Sequence, residues 1–148
     1  MPQDAYTEGH RSRKAEVPLD HPRSGVAHPW HECLDYPGAR QMRLMRDFFD
    51  MVPWWKLRPD RTLLAEDRVD EAFSNYIMAS RTEDGKQAVL YLPANPAVKL
   101  NLTGFRTPVR GTWYDPRTGR RLPAGKWKPA PSIEAATPGA GDWLLLVR

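Results

Sequence analysis

Residues Trp113 to Gly119 read W-Y-D-P-R-T-G, a stretch that packs many reactive side-chain types into seven residues. An indole, a phenol, a carboxylate and a guanidinium this close together suit a ligand with a flat face and a polar edge. Tyr114 and Arg117, with Trp127 further along, are therefore candidate ligand contacts. The same letters also spell a corner. Pro116 presets φ, Gly119 admits a left-handed backbone, and Asp115 can accept hydrogen bonds from turn amides. On this reading the stretch is first a hairpin, with Val109, Gly111 and Trp113 on one face of the incoming strand and Arg110, Thr112 and Tyr114 on the other. Trp113 is then expected to point into a core, and neither it nor Asp115 needs a ligand to explain its presence.

Other groups offer chemistry without completing it. His28, His31 and Cys33 supply zinc-type donors within six residues, but no second ligand pair at finger or ribbon spacing follows, and Pro29 stiffens the loop. Cys33 beside His31 lacks the third group of an activated thiol. Glu66, Asp67, Asp70 and Glu71 form a charge cluster of loop type, not two acids held across a cleft as glycoside hydrolysis requires. P-A-G-K-W-K-P has a glycine and a lysine but no strand-to-helix setting for phosphate. The expectation is no catalytic residue, no metal and no cofactor.

The elements that would position these residues are mostly strands. The chain has 148 residues, 41% of them hydrophobic, with 15 prolines, which suits one folded unit with appendages. A net charge of +4 is spread among acids, so neither nucleic acid nor a membrane is expected as a partner. One cysteine excludes an intrachain disulfide. Residues 1–29 are polar, carry no export signal as written, and are expected to stay disordered; the compartment is left open. Met42, Met45, Phe48 or Phe49, and Val52 recur at helical spacing, predicting an amphipathic helix over about residues 37–50 with Asp35 available as its cap. Residues 30–58 thus read as helix and linker.

From residue 59 to 148 the period changes. Strands are predicted over 62–65, 75–81, 86–92, 97–102, 109–115, 132–136 and 143–147. Val98, Leu100 and Leu102 alternate with Lys99 and Asn101, as on a strand with one wet face. K-Q-A-V-L-Y-L and W-L-L-L-V are apolar almost throughout, as central strands covered on both sides would be. T-E-D-G signals a hairpin between the second and third runs. Short strands and short loops favour a mainly β, antiparallel sandwich of immunoglobulin-like or jelly-roll type. Trp54 and Trp55 are expected to pack between helix and sheet, and Trp127, flanked by Lys126 and Lys128, to be the exposed aromatic.

Several runs occur in an order that resembles one family: W-H-E-C-L-D-Y-P-G-A-R-Q-M, P-W-W-K-L-R-P-D, N-Y-I-M-A-S-R-T-E-D-G-K-Q-A-V-L-Y-L-P, W-Y-D-P-R-T-G and G-D-W-L-L-L. Residues 30–148 are similar to the C-terminal region of apiosidase-like bacterial glycoside hydrolases, which ends in a collagen-binding domain also named for collagenases. The resemblance implies a β-sandwich preceded by the last helix of a (β/α)8 barrel, with the catalytic acids in a barrel that these residues do not contain. It implies collagen or a polysaccharide as ligand, or docking on a separately encoded hydrolase barrel as an accessory subunit.

Overall fold

The computed structural model describes residues 31, 34, 36–66 and 75–148. The expected polar tail, His28, Cys33, the Asp35 cap and the acids Asp67, Asp70 and Glu71 lie outside the described residues. The chain divides into two compact units, residues 1–43 and 44–148. Helix α1 spans Pro37–Phe49, and its last six residues belong with the second unit. Eight strands follow among the described residues: β1 Leu57–Pro59, β2 Met78–Thr82, β3 Ala88–Leu92, β4 Ala97–Leu100, β5 Val109–Tyr114, β6 Arg121–Trp127, β7 Ile133–Ala136 and β8 Trp143–Val147. Every pairing is antiparallel. Six strands form one sheet in the order β1-β2-β3-β8-β5-β6, and β4 pairs with β7 in a second.

The patterning that marks β3 and β8 as central holds. They are neighbours in the middle of the large sheet, and Leu90 faces Leu145 in their register. One side of these strands, Ala88, Leu90, Leu92, Trp143, Leu145 and Val147, is buried in the main core with Val98, Leu100 and Leu102. Their other side, Val89 and Leu146, is covered by Phe48, Val52 and Tyr114. A continuous apolar run is the signature of a strand covered on both faces, and here the second cover is the end of α1. On β4 the expected alternation holds, with Val98 and Leu100 buried and Lys99 exposed.

Three expectations need correction. Residues 62–65 do not form a strand: Asp60 Oδ1 accepts hydrogen bonds from Thr62 N (3.0 Å) and Thr62 Oγ1 (2.5 Å), pulling Arg61–Leu63 into a 3-10 turn. Only a single bridge, Leu64 to Leu100, remains. Two strands were hidden in proline- and glycine-bearing sequence. β1 ends on Pro59, and β6, R-L-P-A-G-K-W, contains Pro123 and Gly125 with a register shift opposite Gly111 and Thr112. Proline is tolerated in both because each strand lies at an edge of the sheet, where one side of the backbone has no partner to bond. Finally, the buried face of α1 is offset from the predicted stripe. Phe48 and Val52 are buried and Leu44 is half-buried, whereas Met45 and Phe49 are exposed.

Candidate functional site

The opening motif folds as a corner. Asp115 N bonds to Arg120 O at 2.9 Å, and Gly119 N bonds back to Asp115 O at 2.8 Å. Gly119 has φ +74°, a left-handed conformation that glycine adopts without steric cost. The Asp115 carboxylate is buried and accepts from Arg117 N (2.9 Å), Arg117 Nε (2.8 Å) and Arg117 Nη2 (3.2 Å). Arg117 also donates from Nη1 to Ala140 O (3.2 Å), and its guanidinium lies 5.7 Å from the centre of the Trp143 ring. Aspartate and arginine together tie the β5–β6 corner to the segment entering β8. Trp113 is buried on the other side of the corner, edge-on to Trp143 at 6.4 Å.

The hydrogen bond from the Arg117 side chain, against the opposing effect of burial, holds the Asp115 carboxyl below the ordinary carboxylate range. A depressed folded value stabilises the fold above the unfolded-state pKa and is lost as pH falls through the folded one. Asp115→Asn is therefore expected to lower stability by about 1–3 kcal/mol at neutral pH. The gap between variant and wild type should close as pH drops below about 4. Urea titrations at pH 7 and pH 3 measure both numbers, and a gap of equal size at the two pH values would refute the ion-pair role.

The three candidate contacts do not converge. Tyr114 is buried against Phe48, ring centres 5.0 Å apart, and its hydroxyl donates to Leu44 O at 2.8 Å. Burial, chiefly, raises its phenol pKa. Arg117 sits in the corner just described. Trp127 lies at the opposite end of the β5–β6 ladder, paired with Val109 while Tyr114 pairs with Arg121. About five residues of strand, some 17 Å, separate the two ends. Trp127 is half-buried, and its indole covers Gly111 so closely that a methyl there would come within 2.3 Å of the ring.

Burial reverses the expected roles of the tryptophans. Trp54 and Trp55 are 57% and 61% exposed, not packed between helix and sheet. Pro53 leads them into a 3-10 turn whose backbone closes through Lys56 N to Pro53 O (2.9 Å), after Phe48 and Val52 have already filled the space over the sheet. The two rings stand perpendicular, 86° apart with centres 6.0 Å apart.

A surface concavity that motif reading missed runs beside β4. An open groove of about 660 Å³ is lined by Arg61, Leu64, Glu66, Asn95, Val98, Lys99 and Glu134, among others. Lys99 Nζ pairs with Glu66 at 2.5 Å, and Glu134 stands opposite Lys99 in the β4–β7 register. Arg61 donates to Ile77 O (3.3 Å) and lies 4.5 Å over the Tyr76 ring. Asn95 Nδ2 donates to Asn75 O (3.2 Å), while its buried Oδ1 has no hydrogen-bond partner among the described residues. The groove thus presents both charge signs over an apolar floor. In the sequence its one signal was Lys99, an outward-facing charge in an alternating strand. No group of three or more His, Cys, Asp or Glu able to hold a metal occurs among the described residues.

Comparison with known proteins places the sandwich. A family model described as "Putative collagen-binding domain of a collagenase" matches residues 58–148. No curated protein matches the chain. Among solved structures it is similar to a glycoside hydrolase (TM-score 0.71, 18% identity, 83% of this chain and 28% of that one). It is also similar to a glycoside hydrolase family 5 protein from Bacteroides vulgatus ATCC 8482 (TM-score 0.69, 17% identity, 81% and 26%). The chain therefore spans about a quarter of the length of these hydrolases. With strands β2 to β8, the main core and the groove inside the matched range, this chain belongs to the collagen-binding domain family.

Proposed function

We propose that the chain is a non-catalytic module that binds an extended polymer, collagen or a polysaccharide, along the groove beside β4. The observation that carries this reading is the family match over the whole sandwich. The groove supports it chemically: charges of both signs beside Leu64 and Val98 suit a chain that offers donors, acceptors and apolar stretches in succession. Two of the described carboxylates are already engaged and neither is set up as a general acid. Asp115 is held ionised by Arg117, the reverse of a general acid, and Glu66 is tied to Lys99. Of Trp127, Tyr114 and Arg117, Trp127 offers part of its ring at the sandwich edge and is proposed as an auxiliary contact.

Retention of the full chain on insoluble collagen and on polysaccharide tests the reading. Saturable retention on one matrix is expected. Lys99→Glu, which sets three acids along the groove, should weaken it about tenfold, on the order of 1.4 kcal/mol. Trp127→Ala should weaken it less, with its melting temperature recorded to separate lost contact from a loosened edge. No retention on either matrix, or retention indifferent to Lys99→Glu, would overturn the proposal.

A further inference from the structure

One end of the six-stranded sheet carries a row of cations. Arg110 on β5 exchanges backbone bonds with Arg148, Arg110 N to Arg148 O (2.7 Å) and Arg148 N to Arg110 O (3.0 Å), and on its other side it stands opposite Lys126 of β6. Cross-strand partners share a face and lie about 5 Å apart, so Arg148, Arg110 and Lys126 form a row about 10 Å long. All are exposed, on the face away from the main core, into which their neighbours Val109, Trp127 and Val147 turn. Lys126 owes its place to the bulge. Further along the ladder Thr112 pairs with Pro123; had that register continued, Gly125 would face Arg110 and Lys126 would face Val109 on the core side. The extra residue, Ala124, sets Lys126 beside Arg110 and turns Trp127 inward.

Like charges directly opposite one another weaken a sheet. Arg46, Arg58, Arg81, Lys99 and Arg117 each meet a carboxylate, but among the described residues no acid pairs with Arg110, Lys126 or Arg148. Asp47, the acid at the helix end, lines a cavity with Tyr114 and Arg121 at the other end of the β5–β6 ladder. Counting a free α-carboxylate at Arg148, the row still holds more positive than negative charge. We propose that it binds a sulfated polysaccharide. A sulfate ester directs its terminal oxygens outward from one centre, so one group can accept from two cations about 5 Å apart, whereas the coplanar oxygens of a carboxylate are satisfied by one guanidinium fork. Nucleic acid is disfavoured because the face offers bases no ring to stack on: Tyr114, the aromatic of β5 on this side, is buried against Phe48. The row lies on the large sheet and the groove beside β4 of the other, so this inference goes beyond the module reading and the two can fail separately.

The test titrates the full chain, tagged at its N-terminus to leave Arg148 unobstructed, with dextran sulfate, carboxymethyl dextran and duplex DNA by calorimetry in about 0.15 M salt. Unmodified dextran, run in parallel, supplies the baseline for any binding by the groove. Dextran sulfate is expected to bind saturably and at least about tenfold more tightly than either other polyanion. Arg110→Thr should weaken it about tenfold, while Arg120→Thr, the same charge change at the far corner, and Lys99→Glu in the groove should alter it less than about twofold. Without ligand, Arg110→Thr should melt no lower than wild type, because losing the middle charge relieves the row. No binding of dextran sulfate above the baseline would overturn the proposal. Equal affinity for carboxymethyl dextran or DNA, or as large a loss in Arg120→Thr or Lys99→Glu as in Arg110→Thr, would also overturn it, by reducing the effect to net charge. So would a lower melting temperature for Arg110→Thr, which would mean that the row serves the fold.

Discussion

Trp113→Ala is expected to destabilise the sandwich by about 3–5 kcal/mol, the range for removing a large aromatic from a packed core. Trp113 is 2% exposed and lies edge-on to Trp143 at 6.4 Å, so the substitution removes both the buried area and a ring–ring contact. The surroundings cannot collapse into the space easily. Trp113 is on β5, held between β8 and β6, and the corner just beyond it is pinned by Asp115 and Arg117. A domain of this size loses roughly 4–8 °C of melting temperature per kcal/mol, which predicts a fall of roughly 12–40 °C. Since total stability is commonly only about 5–15 kcal/mol, the variant could be largely unfolded at growth temperature. A thermal scan decides it: a fall of less than about 5 °C would mean that Trp113 is not at the centre of the core.

Phe48→Asp is expected to produce a different failure. Phe48 is 1% exposed and packs on Tyr114, Val89 and Leu146. An unpaired carboxylate in that position would cost more than the docking of the helix end is worth, so the helix end should leave the sheet and take the charge into water. The loss is then capped near the energy of that docking, on the order of 3–5 kcal/mol for the phenylalanine and its neighbours. The main core, which lies on the opposite face of β3 and β8, should persist. Limited proteolysis should cut near residues 44–52 while near-ultraviolet circular dichroism from Trp113 and Trp143 survives. Loss of the near-ultraviolet signal together with cleavage throughout the chain would show that the two faces of the sheet fold as one cooperative block. Phe48→Leu, which keeps most of the volume, should cost about 1 kcal/mol and leave the helix docked.

The architecture was legible where side-chain periodicity and turn chemistry agree. β3, β4, β5 and β8 declare themselves by apolar runs or alternation, and the corners at Gly85 and Gly119 by residues suited to positive φ. β6 was not legible, because Pro123 and Gly125 argue against a strand unless it is known to lie at an edge, and edge position is a property of the whole sheet. Residues 62–65 have the composition of a strand but lose to one local competitor, the Asp60 side chain. The tryptophans were misjudged for a similar reason: exposure of Trp54 and Trp55, and the cover of Gly111 by Trp127, depend on which residues reach the sheet first. The groove draws on Arg61, Glu66, Asn95, Lys99 and Glu134, residues from three separate segments that only the fold brings together.

Both margins of the six-stranded sheet end in sequence that resists further pairing: three residues closing on Pro59 on one side, and a strand broken by Pro123 and a bulge at Ala124 on the other. A margin without a regular row of amide donors cannot recruit a neighbour's strand. Copies held at high local density can therefore sit side by side without fusing through these margins into a continuous ribbon.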